Sequence, residues 1–315
     1  LHSFPTRRSS DLHIRFLKGD NKMPKVYSGD LTKMFDIAGK KAVIFGGAGG
    51  FGKAIAEGYA ANGADILILS RREEALKAAV ADIEAKAAPG VKVKYFACDA
   101  GNEDEVIAAR DFAVSEEGIG GCDILVNAQG INKKMFSWEI DTEYWKSMLN
   151  TNITSLMYTC RHFGNWMKEH NTDDGTVFDE KEFTSGQPSP ANGYGKIINF
   201  GSVRGIRIVA NGGMGNVAYN TTKGAVEMLT KAFAADLRPN IQVNAIGPTI
   251  TYTPMMVGLL PPDEDVRNGI AGNLPAQRIG YEIDVVGPAL FLGSAASDMV
   301  TATTIYPDGG LVATS

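Results

Sequence analysis

Tyr219 and Lys223 are four residues apart in the stretch AYNTTKGAVEML, which has the apolar periodicity of a helix. Residues four apart share a helix face, so we expect the phenol and the ammonium to be neighbours. An ammonium about 4 Å from a phenol favours the phenolate by up to about 4 kcal/mol at an effective dielectric constant of 20, or nearly three pKa units. The spacing therefore predicts a tyrosine that exchanges protons with an alcohol or a carbonyl, although an exposed Tyr and Lys would show the same pattern.

A glycine-rich stretch, GGAGGFG at residues 46–52, is the second group that favours a specific chemistry. It lies between the apolar run KAVIF and the helical pattern KAIAEGYAA, and its key residues are Gly46, Gly50, Phe51 and Gly52. Glycines at a strand-to-helix junction permit a tight turn and a close approach of a pyrophosphate, which the helix N-terminus attracts. We interpret the stretch as a dinucleotide-binding loop; the alternative is a helix that only needs close packing against its sheet.

The choice of dinucleotide depends on Ser70, Arg71 and Arg72, which end the second predicted strand. A dinucleotide-binding fold that uses NAD carries an acidic residue about twenty residues after the glycines, where it accepts from the ribose hydroxyl. No acid stands there in this chain, and a guanidinium can pair bidentately with the 2'-phosphate of NADP. The sequence thus favours NADP over NAD, unless these arginines are merely solvated at a helix start.

The elements that must position these groups alternate along the chain from Lys40 onward. Short runs that are apolar almost throughout are each followed by a helical pattern, which indicates a parallel sheet covered on both faces. The predicted fold class is α/β, a single doubly wound Rossmann domain over residues 23–315 with a mostly parallel sheet of about seven strands. Residues 171–194 are expected to be a surface insertion or lid, and residues 251–280 are expected to cover the substrate.

Bulk properties favour a small-molecule partner. The 315-residue chain has a formal net charge of −5 and no basic face for nucleic acid, and we found no apolar run long enough to span a membrane. The cysteines and histidines show no disulfide framework and no metal-ligand spacing, so we expect a reducing, cytoplasmic setting and no metal. These residues are Cys98, Cys122, Cys160, His2, His13, His162 and His170. Residues 1–22 lack periodicity, precede a methionine and carry a twin arginine without a following apolar run, so we interpret them as a non-native or disordered appendage.

Taken in order, these features resemble the short-chain dehydrogenase/reductase family from about Phe35 to the C-terminus. The motifs that carry the resemblance are Gly46-x-x-x-Gly50-Phe51-Gly52, Asp99, NAQG at 127–130, Asn152, Ser202, Tyr219-x-x-x-Lys223 and GPTITYTP at 247–254. Members that act on sugar acids or polyols, such as gluconate 5-dehydrogenase-like enzymes, are the most similar. The chain departs from the family pattern in three places: Phe45 replaces a threonine, NAQG at 127–130 replaces the commoner Asn-Asn-Ala-Gly, and Thr249 replaces the glycine of a Pro-Gly pair.

The resemblance implies a role for each motif residue. Tyr219 would be the general acid/base, Lys223 would bind the nicotinamide ribose and tune the tyrosine, Ser202 would hydrogen-bond the substrate oxygen, and Asn152 would hold a proton-relay water. The resemblance also implies which residues contact the cofactor. Asp99 would accept from the adenine amino group, Asn127 would brace the central strand, Ala128 and Gly130 would line the cofactor, and Thr253 would contact the carboxamide.

The implied function is the NADP-preferring interconversion of a secondary alcohol and a ketone, on a sugar acid or polyol, by a homo-oligomeric enzyme (a tetramer or a dimer). Arg204, two residues after Ser202, is a candidate for orienting a carboxylate or a hydroxyl-rich substrate, although a loop arginine is often solvated or structurally paired. Two other functions stay open: a 3-oxoacyl-carrier ketoreductase, and a non-catalytic NADP-binding sensor or scaffold.

Overall fold

The computed structural model describes residues 31–171, 195–208, 215–238, 241–256, 260–272 and 274–314. The predicted appendage at 1–22, and the predicted insertion apart from residue 171, lie outside these residues.

A seven-stranded sheet forms the centre of the molecule, with the strand order β3-β2-β1-β4-β5-β6-β9 and parallel pairing throughout. Its strands are β1 (Lys41–Phe45), β2 (Asp65–Ser70), β3 (Val93–Ala97), β4 (Ile124–Asn127), β5 (Gly195–Phe200), β6 (Ile241–Ile246) and β9 (Thr304–Ile305). The predicted doubly wound α/β fold is confirmed.

Helices cover both faces of this sheet. The α-helices are α1 (Gly50–Ala61), α2 (Glu73–Glu84), α3 (Glu103–Val114), α4 (Thr142–Leu149), α5 (Ser155–His170), α6 (Val217–Asp236), α7 (Glu264–Ile270) and α8 (Val286–Gly293). Successive residues of a strand point to opposite faces, so Ala42 and Ile44 enter one apolar core while Val43 and Phe45 enter the other. This explains why the strands are apolar at consecutive positions rather than alternating.

The location of the candidate site follows from the point where the strand order reverses. β1 pairs with β2 on one side and with β4 on the other, so the loops that follow β1 and β4 emerge side by side at the carboxyl edge of the sheet. In open α/β sheets, this crevice is where ligands bind. It brings the glycine-rich loop next to the NAQG loop.

The segment predicted to cover the substrate forms a small unit of its own. It contains a parallel pair of short strands, β7 (Thr251–Tyr252) and β8 (Gly280–Tyr281), together with α7. A separate apolar cluster of Ala271, Leu274 and Ile279 stabilises it. Among the helices of the described residues, none is long and apolar enough to cross a membrane.

Candidate active site

Gly46 fixes the geometry of the glycine-rich loop. Its φ is +76°, a conformation that favours glycine, and its N–H donates to the carbonyl of Leu69 at 2.8 Å. A Cβ built on Gly46 would lie 2.8 Å from the backbone nitrogen of Gln129, and a Cβ on Gly52 would lie 2.5 Å from the Gly46 carbonyl oxygen. Glycine is therefore required at these two positions because backbone approaches backbone.

The next part of the loop borders open space instead. A Cβ on Gly49 would meet no heavy atom within 4 Å, and one on Gly50, whose φ is +54°, would meet only a carboxylate oxygen of Glu282 at 3.9 Å. Because α1 begins at Gly50, its first N–H groups have no partner within the helix and face this space. The glycine-rich loop at residues 46–52 thus forms a glycine cradle that fits the pyrophosphate of a dinucleotide.

The residues predicted to select the cofactor lie at the end of β2. Ser70 is half-buried, whereas Arg71 and Arg72 are exposed and neither guanidinium has an ion-pair partner in the described parts of the chain. The acids that begin α2, Glu73 and Glu74, pair with Lys77 instead. Both arginines are thus available to an external phosphate.

Ser202 and Tyr219 are brought together by a short turn that packs on α6. Ser202 caps the 3₁₀ turn Val203–Gly205, accepting from the N–H of Arg204 at 3.2 Å. A Cβ on Gly205 would lie 2.7 Å from the Lys223 carbonyl oxygen, so the turn lies directly on α6. The Ser202 hydroxyl donates to the carbonyl of Pro248 at 3.5 Å and lies close enough to the Tyr219 phenol to lower its pKa.

Lys223 lies on the same face of α6 as Tyr219, as its spacing predicts. The side chain is buried, with 5% of the residue exposed, and its ammonium lies 5.6 Å from the centre of the Tyr219 ring. Burial lowers the pKa of Lys223 to about 8, and the nearby Glu227 carboxylate opposes this shift. The ammonium is therefore a costly charge in the folded protein.

The expected decrease of the Tyr219 pKa is wrong for this structure. Removal of the phenol from water raises the Tyr219 pKa, and this effect outweighs those of the nearby Ser202 hydroxyl and of the positive charge of Arg204, which both lower the pKa. Lys223 does not shift this pKa appreciably, because its ammonium donates to the carbonyl of Phe200 at 2.6 Å instead of to the phenol. Arg204 is the cation that acts on the tyrosine.

Asn152 links the NAQG loop to α6. It lies in a π-helical turn, Asn150–Thr154, and its side chain accepts from the N–H of Ile131 at 2.8 Å and donates to Thr222 at 3.0 Å. A Cβ on Gly130 would lie 3.4 Å from the Asn152 amide oxygen and 3.8 Å from the Lys223 ammonium. The structure thus brings Gly130, Asn152 and Lys223 together, whereas the predicted relay water stays a prediction.

The other predicted cofactor residues lie at or near strand ends. Asn127 ends β4 and donates to Asn199 on β5 at 2.9 Å, which fits the predicted bracing of the central strands. Asp99 lies two residues after β3 and accepts from the N–H of Gly101 at 2.9 Å. Thr253 is buried beyond β7, and the N–H of Ala128 donates to the carbonyl of Phe45 at 3.0 Å. Their contacts with a cofactor stay predictions.

Two features of the site were not predicted. Asn216, the residue before α6, has a φ of 52° and donates to Asn132 at 2.9 Å, which ties the start of α6 to the loop after β4. The rings of Phe51 and Phe200 stack with centroids 5.3 Å apart. Neither pair has a sequence signal, because each joins residues far apart in the chain.

The cysteines and histidines of the described residues are structural. Cys98, Cys122 and Cys160 are buried free thiols. His162 bonds Glu103 at 2.8 Å, and His170 bonds the carbonyl of Trp166 at 2.9 Å. Within the described ranges, no group of His, Cys, Asp and Glu could hold a metal ion.

Comparison with known proteins agrees with this geometry. Residues 40–178 match the short chain dehydrogenase family, and residues 184–312 match the family described as enoyl-(acyl carrier protein) reductase. The chain is 30% identical over 279 residues to gluconate 5-dehydrogenase of Gluconobacter oxydans, covering 88% of this chain and 96% of that protein. It is 30% identical over 282 residues to a sorbose reductase of Schizosaccharomyces pombe, covering 89% and 98%.

The same likeness extends to solved structures. A gluconate 5-dehydrogenase from Burkholderia cenocepacia, in complex with NADP and tartrate, has a TM-score of 0.74 and 29% identity, covering 90% of this chain and 98% of that one. With this identity and coverage along nearly the whole length of its relatives, the chain belongs to the short-chain dehydrogenase/reductase family.

Proposed function

We propose that this protein is an NADP-preferring enzyme that interconverts a secondary alcohol and a ketone on a sugar acid or a polyol. As a member of its family, it is an oxidoreductase of alcohol and ketone groups. The observation that carries the proposal is the cluster of Ser202, Tyr219 and Lys223 at the carboxyl edge of the sheet, beside the glycine cradle.

The chain's own residues move the proton. In ketone reduction, the Tyr219 phenol donates its proton to the substrate oxygen while the Ser202 hydroxyl orients that oxygen through a hydrogen bond. In alcohol oxidation, the tyrosine accepts the proton. Because desolvation raises the Tyr219 pKa, the phenol carries at neutral pH the proton that ketone reduction needs.

The cofactor supplies the other half of the reaction. When bound, the nicotinamide ring donates or accepts the hydride. The residues that would hold the dinucleotide are Gly46, Gly50 and Gly52 at the phosphates, with Arg71 and Arg72 at the 2'-phosphate. The exposed Arg71 and Arg72, which have no ion-pair partner among the described residues, support NADP, as does the NADP held by the Burkholderia cenocepacia relative.

The substrate class rests on the relatives. One acts on gluconate and one on sorbose, which have in common a chain of hydroxyl-bearing carbons. A 3-oxoacyl-carrier ketoreductase is the second candidate, because the C-terminal half matches a family described for acyl-carrier substrates. A non-catalytic sensor is disfavoured because it would not need the Ser202–Tyr219 pair.

We also propose that the enzyme is a homo-oligomer, a dimer or a tetramer. On α6, the side chains of Val217 and Met228 are apolar and exposed, with 63% of Met228 accessible in the single chain. Exposed apolar side chains on one long helix are candidate subunit contacts. Light scattering of the purified protein would measure the assembly directly.

The deciding experiment measures NADPH and NADH oxidation with a panel of ketones: 5-keto-gluconate, sorbose, an acetoacetyl thioester and a simple cyclic ketone. We expect turnover with NADPH on the keto acid or the ketose, and its loss in Tyr219→Phe. Preference for the thioester would favour the second candidate. NADPH binding without turnover on any member of the panel would contradict the proposed enzyme and favour a sensor.

A further inference from the structure

Arg204 lies close to both Ser202 and Tyr219, the two residues proposed to contact the substrate oxygen. Its backbone N–H bonds the Ser202 hydroxyl at 3.2 Å, and its guanidinium is near enough to Tyr219 for each to shift the pKa of the other. The turn that contains Arg204 is held against α6, because Gly205 packs against the backbone of Lys223. Arg204 is thus held close to Tyr219 by the same turn that holds Ser202.

The guanidinium of Arg204 contains a buried hydrogen-bond donor that has no acceptor among the described residues. Its Nη1 atom is buried and has no hydrogen-bond partner among the described residues, and the side chain as a whole is half-buried. Burial lowers the Arg204 pKa, as expected for a cation withdrawn from water without an anionic partner. A buried donor left unpaired is unfavourable and uncommon in folded proteins.

Two other arginines show what a satisfied guanidinium looks like in this fold. Arg207, three residues along the same segment, donates from Nη1 to the carbonyl of Leu311 at 2.7 Å. Arg278 forms a two-pronged pair with Asp284 at 2.7 and 2.8 Å. The contrast indicates that the partner of Arg204 is not supplied by the described protein.

We infer that Arg204 is a specificity-determining residue that binds a carboxylate carried by the substrate. This inference rests on the proposed function, whose substrate class it narrows from sugar acids and polyols to acids. A guanidinium matches a carboxylate through two parallel hydrogen bonds, which a hydroxyl of a neutral ketose cannot do. The carboxylate would also neutralise the charge beside Tyr219 and give the buried Nη1 its acceptor.

The test compares the parent with Arg204→Met, Arg204→Lys and the control Arg207→Met. Each protein is assayed with NADPH on 5-keto-gluconate, on neutral sorbose and on fructose 6-phosphate. Gluconate binding to the NADPH-saturated proteins is measured by calorimetry. This readout does not depend on turnover, because the reduced cofactor cannot accept a hydride from the alcohol. Melting temperature and NADP affinity verify that the variants fold and keep the cofactor site.

We expect the parent to prefer the keto acid. Arg204→Met should lower kcat/KM for the keto acid by at least about 30-fold, mainly through KM, because truncating one partner of a desolvated charge pair has an effect of this size. The same variant should lose much less activity on neutral sorbose, where only the effect of the Arg204 charge on Tyr219 is removed, and it should lose gluconate binding. Arg204→Lys should fall between the two, and Arg207→Met should keep the parent's ratio of acid to neutral substrate.

Three results would overturn the inference while leaving the proposed function intact. They are a parent that reduces sorbose as well as the keto acid, a parent that prefers fructose 6-phosphate, and an equal loss on acid and neutral substrates in Arg204→Met. The last would mean that Arg204 acts only by tuning Tyr219. If no ketone is reduced but gluconate binding still requires Arg204, the proposed function fails and the carboxylate site stands.

Discussion

The ammonium of Lys223 donates a 2.6 Å hydrogen bond to the carbonyl oxygen of Phe200, the last residue of β5. This bond holds the lysine at the carboxyl edge of the sheet, where a bound dinucleotide would lie. The bond also keeps the Lys223 ammonium buried, and burial lowers the pKa of this group to about 8. The position of the Lys223 side chain is thus maintained at a cost in the stability of the folded protein.

That cost can be measured by replacing the lysine. The unfolded state binds the lysine proton up to about pH 10.5 and the folded state only up to about pH 8, so the stability of the parent should rise between these values. The free energy of unfolding of the parent, minus that of Lys223→Met, should increase by about 2 kcal/mol from pH 7 to pH 10. Urea unfolding at several pH values gives this difference. A difference that is flat or falls with pH would contradict a depressed lysine pKa.

The sequence predicts well both the fold and which residues form the candidate site, because both depend on local patterns. Strands that are apolar at consecutive central positions require a sheet covered on both faces, and β1 and β2 are of this kind. The four-residue spacing of Tyr219 and Lys223 likewise requires a common helix face. Gly46 needs a positive φ and a close neighbour, and the structure has both.

The electrostatics of the site are less predictable, because they depend on where side chains point. Spacing alone suggests that Lys223 lowers the Tyr219 pKa, but the ammonium is turned toward Phe200 and desolvation of the phenol has the larger effect. The bond between Asn216 and Asn132 is equally invisible, because these residues are 84 positions apart in the chain. Pairings of this kind are set by the tertiary fold.

Tyr219→Phe should separate cofactor binding from catalysis. The substitution removes only the hydroxyl that exchanges the proton, so NADPH affinity should stay nearly constant while kcat falls by about two to four orders of magnitude. The matched control is Tyr95→Phe, whose hydroxyl contacts the exposed Glu73. Steady-state assays and NADPH fluorescence titration measure the two effects. Turnover within about threefold of the parent would remove Tyr219 from the mechanism.

The two reaction directions should respond oppositely to pH. Desolvation raises the Tyr219 pKa, so the protonated phenol that ketone reduction needs persists through neutral pH, and alcohol oxidation gains as the phenol ionises in alkaline solution. We therefore expect kcat/KM for reduction to stay level up to the ordinary tyrosine pKa of about 10 and to fall only above it, while that for oxidation rises with pH. Profiles recorded in both directions test this. A rate of oxidation that peaks below pH 7 would be inconsistent with a raised tyrosine pKa.

Arg71→Asp should weaken selection for NADPH. An exposed guanidinium without an ion-pair partner in the described residues can bind the 2'-phosphate, whereas a carboxylate there repels the phosphate and accepts from the ribose hydroxyl of NADH. The ratio of kcat/KM for NADPH to that for NADH should fall by about tenfold or more. Arg110→Asp on α3 makes the same change in net charge and should leave the ratio unaltered. Equal efficiency with both cofactors in the parent would refute the NADP assignment.

Gly46→Ala and Gly49→Ala should differ sharply in their effect on stability, although both alter the same loop. At Gly46, the φ of +76° strains an L-residue, and the added Cβ would come within 2.8 Å of the backbone of Gln129. We expect a loss of about 2–4 kcal/mol in the free energy of unfolding, from backbone strain and overpacking together. At Gly49, the φ is 179°, which any residue adopts, and a Cβ would meet nothing within 4 Å. Gly49→Ala should therefore keep the parent's stability within about 0.5 kcal/mol. Urea unfolding of both variants without cofactor measures the difference, and equal stability would show that the loop does not need its close approach to the NAQG loop.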